Sequence, residues 1–548
     1  LAAAASEGVA AWDGSRDEWF NLKIHLTGVY ADQPGSTKVS HFVGSNGNYG
    51  CRHCLIRAVR VPGPGNAAYW PLQCRHEDVP RNVGRPAYDP FDLPVRTENQ
   101  FRHAMQQLST APTQARRTAI ATQTGFQALP IVMFDPATRG TDLFPLDPFH
   151  LYNFNIPRLL WRTWAEVGDA SPRSPTEFGL SVEQRTHLGL VIVSNAKNYP
   201  TSFSSRAPRD ISQYSNTSYR MVEWGSVFHH FLPAFLHHID APSAARDMLD
   251  LFIAGVNLSM ARDGLTFEQV RLVQSLFCQF VMAWEQMHAY DDARVHRATI
   301  SIHMLLHVVE QLMWTGSMRA TSQAACERFI GKVKHELGAF KHPETVMLNR
   351  AVALSELTIA QVRLEQLVPP PPTDDDDTPR RALTVLITNT HVALTPEQSA
   401  QESALLQQHD LRASRSRYGK LSVKAGRDNA GDNQLAQVVR GRRIETADSR
   451  SASRVSARRQ GRLACYDIVH FLLAKSGAAY PAAQPDRAFA LAYPLEVTTS
   501  ARHFFAGEWG SEPELLPISD IVDVIAVLDL GTTKYAVRRG SANSDVDM

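Results

Sequence analysis

The stretch "SIHMLLHVVE" at residues 301–310 sets His303 and His307 four apart among apolar residues. On a helix that spacing puts both imidazoles on one face, where they could share one ion. A zinc-protease helix needs a Glu immediately after the first His to act as general base, and Met304 stands there instead. Far earlier, "CRHC" places Cys51 and Cys54 with two residues between them. Two thiolates and two imidazoles make a closed tetrahedral set of the kind that structural zinc sites use. Two core histidines are the competing reading of the later pair. Two carboxylates stand near these halves. Asp32 follows "FNLKIHLTGVYA", and Glu327 lies in "ACERFIGKVK", ahead of Arg328, Lys332 and Lys334. Their ordinary readings are a turn cap for Asp32 and a solvated or Arg-paired helix carboxylate for Glu327.

The elements that would position these groups are of three kinds. Residues 20–31 alternate as a strand ending at Asp32 and Pro34, and the turn "GSNGNYG" then delivers Cys51 and Cys54. Residues 60–100, rich in Pro, Gly and Tyr, form an extended arm. From about 97 to 366 long amphipathic helical patterns follow one another, as in "FEQVRLVQSLFCQFVMAWEQMHAY". The run "VPPPPTDDDDTPRR" at 368–381 marks a boundary. Beyond it, residues 411–463 carry 14 Lys/Arg against four acidic residues. That composition reads as a disordered linker, compatible with a phosphate contact or a nuclear-import signal. The division expected is 1–366, a linker over 367–463, and a small β-rich domain over 464–540.

The chain of 548 residues is long enough for two or three cores, and its net charge is +1. No apolar run reaches the ~20 residues that a membrane span requires, and the first ten residues lack the pattern of a secretory signal. Six cysteines are too few for a disulfide scaffold and fit a reducing compartment. The chain starts on Leu, which fits a fragment with upstream sequence missing.

Three blocks together resemble CACTA (En/Spm-type) DNA transposases: "GVYADQPGSTKVSHFVGSNGNYGCRHC", "LFPLDPFHLYNFNIPRLLWRTW" and "ISIHMLLHVVEQLMWTG" with "ACERFIGKVK". They occur in that family's order over residues 20 to 360, and the Pro-rich arm is similar to the fungal branch. The catalytic subunit of the vertebrate V(D)J recombinase is a more distant relative. The resemblance implies an α/β, mostly α fold, a partial RNase H-like core with a large helical insertion before the last catalytic Glu. It implies Asp32 and Glu327 as catalytic carboxylates, Asp147 and His150 as active-site support, and Cys51, Cys54, His303 and His307 as zinc ligands. Arg328, Lys332 and Lys334 would meet DNA. Hard carboxylate oxygens suit catalytic Mg²⁺ or Mn²⁺, and two such ions serve phosphodiester cleavage and strand transfer. Transposon-end DNA, a homo-oligomer, no membrane, and a nuclear location are the implied partners and place.

The departure is as informative. The family's first catalytic Asp lies upstream of the block that ends at Asp32, and Asp13 and Asp17 sit in a polar connection unsuited to that role. The resemblance therefore implies a chain lacking one of three metal carboxylates, inactive alone. The alternative is a domesticated, non-catalytic DNA- or chromatin-binding zinc protein.

Overall fold

The structure, a computed structural model, describes residues 2–61, 67–74, 76–130, 140, 142–170, 177–261, 264–336, 343–367, 384–386, 392–423, 426–427, 433–434, 437–442, 450–476 and 487–538. It is a mixed α/β chain with a helical body and a β-rich C-terminal unit.

At the start, β1 (Val9–Asp13) and β2 (Glu18–Leu22) form a lone antiparallel hairpin, with Trp12 opposite Trp19. The strand expected over 20–31 stops at Leu22. Among the described residues, 23–31 form no strand; their backbone bonds include Ile24 N–H to Ala4 O and Val29 N–H to Leu143 O. Asp13 accepts from Ser15 and Arg16 in the hairpin turn, and Asp17 sits in the left-handed region there. After residue 31, α1 (Gln33–Val39) begins under an Asp32 cap, helped by Pro34 in its first turn.

The helical body matches the periodic patterns. Thr97, Ser181 and Thr266 each open a helix with a capping box completed by Gln three residues on. The longest of these, α2 (Phe267–His288), lies against Ser243–Ser259. Trp164, Trp224, Trp284, Phe228, Phe252, Phe277 and Phe280 are completely buried between such helices. Each contributes on the order of 1.5–3 kcal/mol from apolar area removed from water. Buried charge is matched locally: Glu177 takes Arg294 at 3.0 Å and Arg297 at 2.7 Å.

The arm over 60–100 is fastened to this body. The carboxylate of Glu285, on α2, accepts the N–H groups of Leu72, Gln73 and Cys74 at 2.6, 2.7 and 3.0 Å. No described helix is long and apolar enough to cross a membrane.

The C-terminal unit starts earlier than residue 464. Leu411–Tyr418 and Arg454–Arg459 both pair with the long strand Arg462–Ser476, inside the span read as linker. The sheet continues through Arg487–Ser500, Phe504–Trp509, Thr533–Val537 and Ala526–Leu530, all antiparallel. Helix Pro396–Gln408 packs on it and buries Glu402, which holds Arg417 and His470, the latter at 2.6 Å. The acidic run and much of the rest of the 367–463 span lie outside the described residues.

The sheet also joins the body. Phe504, Leu528 and Tyr535 belong to one apolar cluster with the helices. Asn195 exchanges hydrogen bonds with the backbone of Asp529 at 3.1 and 2.7 Å. Arg454 reaches Asn198 at 2.8 Å, and Arg450 holds the carbonyls of Tyr199 and Pro200.

His288 supplies a test of this core. Its Nε2 accepts the Trp164 indole N–H at 3.1 Å, so it must stay neutral. Burial, reinforced by the charge of Arg297, holds it down to about 3. An unfolded His titrates near ~6.5, so the unfolded chain takes up this proton first. The stabilisation is complete above that pH and is lost as the pH falls toward 3. Replacing His288→Gln, which keeps an acceptor for Trp164, is expected to flatten the acid limb of stability against pH, measured by urea unfolding.

Candidate metal centre and carboxylate site

The quartet expected from sequence is assembled. Cys51, Cys54, His303 and His307 are buried, and their ligand atoms lie within 4.8 Å of one another. Cys51 Sγ is 3.4 Å from His307 Nε2, Cys54 Sγ is 3.3 Å from His303 Nε2, and the two Nε2 atoms are 3.2 Å apart. Bonds of ~2.3 Å to sulfur and ~2.0–2.1 Å to nitrogen give a tetrahedron with edges of roughly 3.3–3.8 Å, so the donor set fits zinc. The cluster could hold that ion. Burial drives both thiols up. For Cys51 the hydrogen bond from Cys54 and the charges of His307 and His303 outweigh it, leaving that thiol well below its ordinary range. Cys54 stays high, first because burial disfavours its thiolate and then because it donates its own proton to the neighbouring Cys51 sulfur, whose charge opposes a second thiolate.

The local sequence explains the knuckle. A side chain at Gly50 would meet Gly44 O at 2.3 Å, so only glycine lets the chain enter the turn there. Arg96 closes it from the other side, donating to Cys51 O, Thr124 O and Tyr49 O. On the late side, His303 ends the short helix Ile300–Met304 and His307 follows in a 3₁₀ turn. The two histidines therefore face each other across a tightened turn. Glu310 Oε1 lies 3.7 Å from His307 Nδ1, where a carboxylate orients a metal-bound imidazole.

The carboxylate site lies beside this centre. Asp32 caps α1, its Oδ1 accepting the Gly35 N–H at 2.7 Å. A Cβ at Gly35 would stand 2.8 Å from that oxygen. Asp147 caps the turn Pro148–His150 and is saturated. It accepts Phe149 N–H, His150 N–H, the His150 Nδ1–H and, at 2.9 Å, the N–H of Gln323. That last bond fixes the entry of helix Ala324–Glu336, which carries Glu327 half-exposed. His150 Nε2 lies 3.9 Å from Glu327 Oε1. The hydrogen bond to Asp147, followed by the charges of Asp147, Asp32 and Glu327, raises His150 against the opposing effect of burial. Thus Asp32 and Glu327 both act on one imidazole, although 295 residues separate them in sequence by their numbering.

Three residues that sequence reasoning missed join the two centres. Arg52, buried inside the knuckle, donates to Gln33 Oε1, Phe144 O and Pro145 O. Gln311, one turn after His307, reads both backbone groups of Leu146 at 2.6 and 3.1 Å. None of the three belongs to a ligand type. Their one sequence signal is adjacency: Arg52 sits within "CRHC", and Gln33 follows Asp32.

Of the expected DNA contacts, Arg328 is exposed beside Glu327, while the side chains of Lys332 and Lys334 lie outside the described residues. Comparison with protein-family models, curated proteins and solved structures finds no match.

Replacing a ligand, by Cys51→Ser or His307→Ala, is expected to lose bound zinc and the cooperative thermal transition together. Glu310→Gln should weaken zinc by about 10–100-fold with the fold retained, because it removes only an outer partner. Zinc content and competition with a chelator measure both.

Proposed function

We propose that this chain is the catalytic region of a CACTA-type DNA transposase, in which Asp32 and Glu327 are two of the carboxylates for a divalent ion. The observation that carries this reading is the approach of Glu327 to His150 at 3.9 Å, with Asp32 near enough for its charge to act on the same imidazole, from three distant points of the chain. The RNase H-like core belongs to the same reading.

The donors fit a hard divalent cation. Asp32 Oδ1 is engaged with Gly35, which leaves its second oxygen for an ion, and Glu327 is half-exposed. Bound Mg²⁺ or Mn²⁺ would activate an attacking oxygen and stabilise the leaving one on a phosphodiester. The chain's own groups do the rest. Asp147 holds the proton of His150 at Nδ1 and turns Nε2 toward the carboxylates. Arg328, exposed beside Glu327, is placed to meet the DNA backbone.

Asp147 cannot serve as a third metal ligand, since both its oxygens already accept. The full engagement of Asp147 fits a second reading, a non-catalytic DNA-binding zinc protein that keeps the braced body. Mn²⁺ titration followed by electron paramagnetic resonance separates them. Asp32→Asn still caps a helix, so its loss is one of charge. Under the transposase reading Asp32→Asn and Glu327→Gln each weaken Mn²⁺ by about tenfold or more, with zinc unchanged. Equal affinity in wild type and both variants rejects it. The 548-residue chain alone is expected not to nick duplex DNA in Mn²⁺.

A further inference from the structure

We propose that Arg52 is a positioning residue that transmits the geometry of the Cys₂His₂ knuckle to the Asp32–His150–Glu327 site. The inference rests on the proposed function for the role of those carboxylates, but its geometry stands without it.

Arg52 lies between Cys51 and its partner Cys54 in sequence, so closure of the quartet fixes its backbone. Its guanidinium is buried, at 6% exposure, and reaches two separate segments. One arm takes Gln33 Oε1, the residue after Asp32 and the first of α1. Nε donates to Phe144 O at 2.8 Å and Nη2 to Pro145 O at 3.2 Å. Those carbonyls lead directly into Leu146 and Asp147. A planar fork can hold three acceptors in fixed directions, which a lysine ammonium on a flexible stem cannot. A cavity of about 30 Å³ opens where the pieces meet, bordered by Gln33, Arg52, Asp147, His150, Asn155 and Ser301. It has room for about one or two waters, and Leu146, Leu151, Ile300 and Met304 complete its lining. The backbone bond from Val29 N–H to Leu143 O brings the two segments side by side, and Arg52 is the side chain that ties the Asp32 cap to the approach of the Asp147–His150 turn.

The test uses the zinc-loaded 548-residue chain and its Arg52→Lys, Gln33→Ala and Gln33→Glu variants. Hydrogen exchange reads the amides of Gly35 and Ser36, which bond to Asp32, and of Phe149 and His150, which bond to Asp147. Mn²⁺ affinity reads the site itself. Arg52→Lys and Gln33→Ala are expected to keep full zinc content, speed exchange at the Asp32 cap, and weaken Mn²⁺ by about tenfold, the scale of an outer-partner loss. Arg52→Lys should also speed exchange at Phe149 and His150. Gln33→Glu keeps an oxygen for Arg52 and should restore wild-type protection. Wild-type exchange in both Arg52→Lys and Gln33→Ala, with zinc bound, overturns the proposal. Should Arg52→Lys fail to fold, the contrast between Gln33→Ala and Gln33→Glu decides it alone. Mn²⁺ binding that ignores Asp32→Asn rejects the carboxylate reading instead, and the exchange result still decides the role of Arg52.

Discussion

Closure of the Cys₂His₂ quartet is the constraint from which the rest of the site follows. His307 stands 256 residues beyond Cys51, and His303 stands 249 beyond Cys54. Joining chain points that far apart costs about 5 kcal/mol in loop-closure entropy by the logarithmic law. Structural zinc in small peptides supplies about 10–16 kcal/mol, so an ion in this cluster outweighs that cost with a wide margin. The helical body between the halves already brings them near each other, because its own apolar core is large. The ion's part is then to fix the last ångström, and everything tied to the knuckle inherits that precision.

What is tied to it is polar and specific. Gln311 pairs with both backbone groups of Leu146 as a neighbouring strand would, and Thr321 Oγ1 adds a bond to the same carbonyl at 2.9 Å. Asp147 then captures four donors, one of them at the start of the helix of Glu327. A residue so fully engaged organises its neighbours and has no lone pair left for an ion. His150 and Glu327, by contrast, keep atoms that point into reachable space. Two acidic residues in adjacent blocks thus differ in their hydrogen-bond inventories, Asp147 fully engaged and Glu327 half-exposed.

The ligand residues were legible because thiol and imidazole pairs at these spacings have few other uses together. The braces were not. Arg52, Gln33 and Gln311 are ordinary polar residues whose meaning lies in what they meet, and those partners are remote in sequence. The strand expected over 20–31 fails for a related reason: alternation reports a tendency, while a strand exists only where a neighbour offers hydrogen bonds. The span from 411 to 463 misled through composition. "LRASRSRY" looks like a solvated Ser/Arg tract, yet Arg417 neutralises the buried Glu402, and its neighbours pair along Arg462–Ser476. The helical body, in contrast, was readable almost throughout, since a 3.6-residue apolar period is a local property.

That same observation moves the electrostatic argument for DNA. The excess of basic residues near the C-terminal unit suggests a phosphate-binding tract, but several of those charges are engaged inside the protein. Arg417 is held by Glu402, Arg450 by backbone carbonyls and Arg454 by Asn198. A guanidinium whose donors are committed to carbonyls cannot also release counterions from a phosphate. The helix of Glu327 is different. It leaves Glu327, Arg328, Phe329 and Ile330 exposed together, on an element whose entry is fixed by Asp147. A strand that reached the carboxylates would have to cross that surface, with Arg328 for its phosphate and Phe329 and Ile330 for its apolar faces. On this reading, affinity and chemistry share one helix, while Arg450 and Arg454 serve to hold the C-terminal unit against the body.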